Sequence, residues 1–293
     1  MRAVVGGRCG WQGRRIPHET DPPPPTLTTV TCELGFEIDD RATLALQIAP
    51  ASSAGAIVEE VLTVALDGRA LHADEVVADH AGRVHLTQSA AGHLDISYTA
   101  VLDASRSVPP TASTRDRLVY LRQSRYCPSD RLEGFAADEF GPVTDPAASA
   151  TGIAGWVFER VSYELGSSGP LDTAVETLLG GHGVCRDFAH LCVGLCRAVG
   201  IPARVVSVFA PGLSPMDFHA VAEVAIEDRW LVLDATRLAP RPTLVRIATG
   251  RDAADTAFCS TIEGYAELTT AFIAASTDAD LPLDDHVAPV SLA

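Results

Sequence analysis

Gly180-Gly181-His182-Gly183-Val184-Cys185-Arg186-Asp187-Phe188-Ala189-His190-Leu191 is the stretch on which the reading of this chain turns. Glycines crowd up to a cysteine, and a helical pattern runs through it: Val184, Phe188, Leu191, Cys192, Leu195 and Val199 recur at helical intervals. The spacing predicts a helix over about 184–199, stopped by Gly200 with Pro202 two positions beyond. A thiol then sits where a loop becomes the first turn of a helix. Free backbone N–H groups in that turn, with the helix dipole, favour thiolate over thiol. Glycine ahead of it permits a tight turn and leaves room for a substrate to approach.

The groups that such a thiol needs lie downstream. Strand-like runs cover 203–209, 219–226 and 230–235. His219 opens the second, sharing a face with Val221, Glu223 and Ala225, and Asp234 closes the third. A hairpin through Glu227-Asp228-Arg229 sets the start of one strand opposite the end of the other, which makes His219 and Asp234 neighbours. Cysteine acyl chemistry requires a thiolate, an imidazole to pair with it and protonate the leaving group, and a third group to orient the imidazole. Cys185, His219 and Asp234 are these residue types in that order; spacing alone leaves an inert thiol, a strand-edge histidine and a turn aspartate equally open. His190, about 140° round the helix from Cys185, cannot serve it. Cys192 and Cys196 read as core, and a zinc site from Cys185, His190, Cys192 and Cys196 fails because they do not converge on one side of a helix.

Working outward, the runs 27–34, 42–48, 57–64, 84–87 and 94–101 are β-branched and apolar, broken by Gly, Asp and Pro. They predict an antiparallel β-domain over 26–105, followed by a linker at 106–115 carrying Pro109-Pro110 and a second domain over 116–270. Within the latter, 152–165 and 171–179 read as helices, and Ser129 or Asp130 as a helix cap. Residues 1–25, rich in Gly, Arg and Pro, read as a disordered leader and 271–293 as a C-terminal extension, with 268–275 a last strand or short helix and 277–293 acidic and frayed. The fold class expected is α+β.

With 38 acidic and 22 basic side chains the formal charge is −16, which disfavours nucleic acid and anionic membrane as partners. Seven cysteines without CxxC pairs, and no apolar run of membrane-spanning or signal length, predict a reduced, cytoplasmic protein. His72, His80, His85 and His93 lack ligand spacing and read as surface histidines rather than a metal site. No calcium loop, P-loop or dinucleotide fingerprint occurs, so catalysis without a cofactor or metal is expected.

Taken together, Gly183-Val184-Cys185-Arg186-Asp187-Phe188-Ala189-His190-Leu191, Leu195-Cys196-Arg197-Ala198-Val199-Gly200-Ile201-Pro202-Ala203-Arg204, Asp217-Phe218-His219-Ala220 and Leu233-Asp234-Ala235-Thr236 resemble the bacterial transglutaminase-like superfamily. These are cysteine acyl-transfer and hydrolysis enzymes with a papain-like core, and the resemblance covers about residues 115–265. It implies Cys185 as nucleophile, His219 as general base and acid, and Asp234 as the orienting carboxylate. Many relatives carry Trp two positions after the histidine; Val221 here implies a wider cleft that favours water as acyl acceptor. Tyr126 is a candidate second oxyanion donor beside the Cys185 N–H, its alternative being a packed aromatic. Arg186 is a cleft candidate, with an ion pair to Asp187 as the preferred role. The expected activity is hydrolysis of a peptide or protein amide through a thioester. Transfer of the acyl group to an amine, and a non-catalytic peptide-binding module, are the alternatives. Oligomeric state is left open.

Overall fold

A computed structural model of the chain describes residues 26–293; the expected leader at 1–25 lies outside them. The first unit is a large antiparallel sheet made by β1 (Leu27–Leu46), β2 (Ala56–Leu66), β3 (Arg69–Leu71), β4 (Ala73–Val77) and β5 (Arg83–Asp103). The runs read separately at 27–34 and 42–48 belong to one 20-residue strand, and those at 84–87 and 94–101 to another of 21. Polar residues such as Asp39 and Asp40 do not end the strand, because the chain bulges there and the β1–β5 register shifts between Ile38 and Arg41. Alternation sets the buried face, with Val30, Cys32, Leu34 and Phe36 inward.

Short helices α1 (Thr114–Tyr120), α2 (Glu133–Phe140) and α3 (Pro146–Arg160) follow. Asp145 caps α3 by accepting from the Ala147 and Ala148 N–H groups, so this helix begins ahead of the expected Gly152. Two-residue strands β6 (Ser162–Tyr163) and β7 (His182–Gly183) pair in parallel on either side of α4 (Ala174–Gly180). Then come α5 (Cys185–Ala198), β8 (Ala203–Phe209), β9 (His219–Ile226), β10 (Arg229–Leu233), β11 (Val245–Gly250) and the one-turn α6 (Ala253–Thr256). The second sheet runs β10-β9-β8-β11, all neighbours antiparallel. One face carries α5 and its helical neighbours. On the other, Phe209, Val245, Ile247 and Ala248 share a core with Val30, Leu44 and Leu46 of the first sheet.

The expected domain boundaries are therefore redrawn at the C-terminal side. The last strands, β12 (Cys259–Gly264) and β13 (Glu267–Thr277), both pair with β1, so residue 270 falls inside a strand of the first sheet. The extension beyond it is pinned, not frayed. Arg241 holds Asp284 (2.7 Å), the Val232 N–H donates to the Val290 carbonyl (2.8 Å), and Leu292 is buried. The linker is pinned too, the Ala112 N–H donating to Asp228 in the β9–β10 turn at 2.8 Å.

Candidate active site

Cys185 is the first residue of α5, half-buried, where the loop-to-helix reading puts it. The turn is built by two groups. Gly181 caps α4 in the left-handed region (φ 67°). A Cβ on Gly183 would lie 2.6 Å from the Asp187 Cβ and 2.9 Å from its Oδ2. The space that Gly183 leaves is thus filled by Asp187, not by a substrate. The fully buried Asp187 carboxylate accepts from the Val184 N–H at 2.8 Å, which satisfies an orphan donor at the helix start. Arg186 pairs with Asp187 (3.4 Å) and donates to the Ser168 hydroxyl (2.9 Å) and Gly169 carbonyl (2.8 Å), holding the preceding loop against the helix.

The β9–β10 hairpin forms with the expected sense, Leu233 opposite Ala222, and carries His219 and Asp234 into the buried layer beside Cys185. His219 Nε2 and Asp234 Oδ2 are 3.0 Å apart, and Cys185, whose Sγ is 4.0 Å from the Phe218 carbonyl, adjoins the same imidazole. Nε2 being engaged by Asp234, Nδ1 is the nitrogen left for the thiol. Burial works against the imidazolium, but the Asp234 charge and hydrogen bond, with Cys185, outweigh it and hold the His219 pKa well above 6.5. Burial likewise opposes the Asp234 carboxylate, and His219 and Thr236 reverse that, lowering its pKa. Thr236 completes the line: its hydroxyl donates to Asp234 Oδ1 at 2.7 Å and its N–H at 2.9 Å. Asp234-Ala235-Thr236 is a side-chain-to-backbone turn, legible in the sequence as an Asp followed two positions on by Thr.

The thiol opens on a cavity of about 500 Å³ lined by Cys185, His219, Tyr126, Arg186, Phe218 and Phe258 among others. Tyr126 is packed: its ring stacks on His190 at 5.3 Å and 3°, and its N–H goes to Asp252. A second tyrosine near the thiol is Tyr163, which the sequence reading passed over within the expected helix at 152–165. It lies in β6, next to Gly183 in β7, its ring 6.0 Å from that of Phe188. Burial raises its pKa to about 12, with Cys185 and Asp217 adding to the shift, so the phenol keeps its proton. The only signal in the sequence was an aromatic in an Ser-Tyr step after a helix.

Val221, His80 and His85 depart from expectation. Val221 does not widen the cleft, since it is buried on the far side with Val206, Val208 and Val232. His80 and His85 are not surface groups. His85 is 5% exposed, and His80 Nε2 meets the Tyr120 hydroxyl at 2.7 Å. His190 is fully buried, accepting from the Ala253 N–H at 3.1 Å, and burial lowers its pKa to about 4.

A half-buried thiol at a helix start, an imidazole at a strand start and a buried carboxylate behind it make a papain-like constellation on an α+β fold. The transglutaminase-like superfamily model matches residues 134–235. A crystal structure from Cytophaga hutchinsonii, described as a "Putative Cysteine Protease", superposes with TM-score 0.82 and 30% identity over 92% of this chain and 98% of that one. The chain belongs to the transglutaminase-like superfamily. An uncharacterized protein of Mycobacterium tuberculosis is 32% identical over 144 residues, 43% of this chain and 45% of the relative. One from Mycobacterium leprae is 29% identical over 87 residues, 30% and 31% of the two. The matches therefore span less than half the length of these mycobacterial relatives. Among the described residues no helix is long and apolar enough to cross a membrane.

Proposed function

We propose that the protein is a cysteine-dependent amide hydrolase acting on a peptide or protein. The observation that carries this reading is the buried, hydrogen-bonded line His219–Asp234–Thr236 beside the half-buried Cys185 thiol on one cavity. Cys185, as thiolate paired with the His219 imidazolium, attacks the amide carbonyl; the S–C bond forms and the carbonyl electrons move to oxygen. The oxyanion is met by the Cys185 backbone N–H at the start of α5. His219 gives its proton to the departing amine as the C–N bond breaks, leaving a thioester. It then takes a proton from water as that water attacks the thioester; the C–S bond breaks, the acid leaves, and the thiolate–imidazolium pair is restored. Every step runs on this chain's own groups, so neither a metal nor a cofactor is assigned a part. A reducing compartment such as the cytoplasm suits a reaction run through a free thiol.

Iodoacetamide labelling near pH 6, with peptide mapping, tests the thiolate. Cys185 is expected to label far faster than the other cysteines and to lose that lead in His219→Ala. Equal labelling excludes the catalytic reading and leaves a binding module. Turnover with and without a primary amine separates the acceptors. Amine incorporation outrunning acid release assigns acyl transfer instead of hydrolysis.

A further inference from the structure

One wall of the catalytic cavity is supplied by the first sheet. Gln47, just past β1, donates through Nε2 to the carbonyls of Asp255 (3.0 Å) and Ala257 (3.1 Å), and its N–H donates to Phe258 at 2.9 Å. These bonds hold the 255–258 segment in place, and with it Phe258, whose ring stacks on Phe218 at 5.1 Å and 18°. Phe218 immediately precedes the triad histidine. Beneath the two rings lie Val205 and Ile247, each 1% exposed, from the second sheet. The Phe218–Phe258 side of the cavity is thus apolar and draws on both sheets, and it adjoins the thiol, Cys185 Sγ lying 4.0 Å from the Phe218 carbonyl.

A cavity of about 500 Å³ is large for one side chain; about 150 Å³ holds a benzene molecule. It accommodates an aromatic side chain together with the peptide unit that bears it. The direction of the chemistry says which part of the substrate enters. The leaving amine must depart to solvent while the acyl group is still held on sulfur, so a backed pocket suits the acyl part.

Resting on the hydrolase reading above, we propose that the first sheet forms part of the substrate site. The Phe218–Phe258–Val205–Ile247 end of the cavity receives an apolar or aromatic side chain on the acyl side of the attacked amide, and Gln47 sets its depth. The substrate class is then peptides with a residue such as phenylalanine or leucine at the carbonyl that is attacked.

N-acetyl-aminoacyl chloromethyl ketones, which alkylate the thiolate with loss of chloride, read this directly on the full chain. The second-order rate for each is divided by the rate with iodoacetamide, which needs no subsite. The phenylalanyl and leucyl ketones are expected to exceed the asparaginyl and glycyl ones by roughly 10- to 100-fold, the span for burying such a side chain. In Gln47→Ala and Phe258→Asp that ratio should fall towards one. Equal wild-type rates for all four ketones, with iodoacetamide still fast, overturn the subsite and leave the thiolate reading intact. Slow iodoacetamide labelling overturns both. A ratio unchanged in the two variants overturns the part given to the first sheet; if Phe258→Asp fails to fold, the wild-type ranking and Gln47→Ala decide.

Discussion

The chemistry of a single sulfur depends here on a hydrogen-bond chain that ends in a threonine. With His219 Nε2 on Asp234 Oδ2 and Asp234 Oδ1 taking both the Thr236 hydroxyl and N–H, the carboxylate can neither swing away nor take up a proton readily. Thr236→Val removes one hydrogen bond to a charged group from an otherwise isosteric site. A fall in kcat/KM of roughly 10- to 100-fold is expected, measured on any amide the wild type turns over. The imidazole pKa is raised in the folded protein, so the cation persists above 6.5. Alkylation of Cys185 in the wild type should therefore stay fast down to pH 6, whereas in His219→Ala its rate should climb only as pH approaches the ordinary thiol range near 8.5. Parallel profiles for the two proteins would show that His219 does not hold the ion pair.

At the scale of elements, α5 explains both what the sequence discloses and what it hides. The apolar spacing from Phe188 to Leu195 foretold the helix and its start within a residue, because one face packs on β8 and β9 whatever the rest does. An apolar stripe at helical spacing ordinarily leaves a polar, solvated face opposite, yet every residue from Asp187 to Arg197 is buried. Asp187, His190 and Arg197 are polar because each ties a different loop to the helix: 184, 253 and 124 with 251 respectively. Pattern reading sees hydropathy, not the partner that makes a buried charge tolerable, so such positions look like surface. The β9–β10 hairpin was legible because its two charged ends and its turn lie within one short stretch. By contrast, the pairing of β12 and β13 with β1 spans over 200 residues and left no local trace. Tyr163 was missed for the reverse reason, its two-residue strand being too short to have a period. Asp187→Ala tests the helix start: it strips the Val184 N–H of its acceptor and unpairs Arg186. A loss of about 1–3 kcal/mol in urea unfolding is expected, with Cys185 alkylation slowed as the first turn loosens.

The strands of the second sheet and the C-terminal tail are joined by one buried ionic cluster, and acid should find it first. Glu223 in β9 accepts from Arg204 Nε at 2.8 Å and from Arg246 of β11 at 2.6 Å, all three side chains being fully buried. Arg204 lies over the Trp230 ring at 3.7 Å, while Arg246 also donates to the carbonyls of Leu292 and Ala293 at 3.2 Å. One carboxylate thus neutralises two guanidinium groups that together clamp β8, β9, β11 and the tail. Replacing it by Glu223→Gln leaves two buried cations against a neutral amide. Breaking a buried pair in this way costs about 3–5 kcal/mol, well beyond a surface substitution. Burial alone would raise the Glu223 pKa, but Arg246 and Arg204 overcome it and hold the carboxyl at about 2, against an ordinary 4.5. Because the folded value is the lower one, the unfolded chain binds the proton more readily, and the stabilisation is present above pH 4.5 and lost as pH falls towards 2. Urea unfolding from pH 7 to pH 3 should show the wild type losing stability faster than Glu223→Gln, the gap between them narrowing below pH 4.5. A gap that stayed constant through that range would mean the cluster keeps its charge state on unfolding, and acid lability would then have to be sought at other carboxylates.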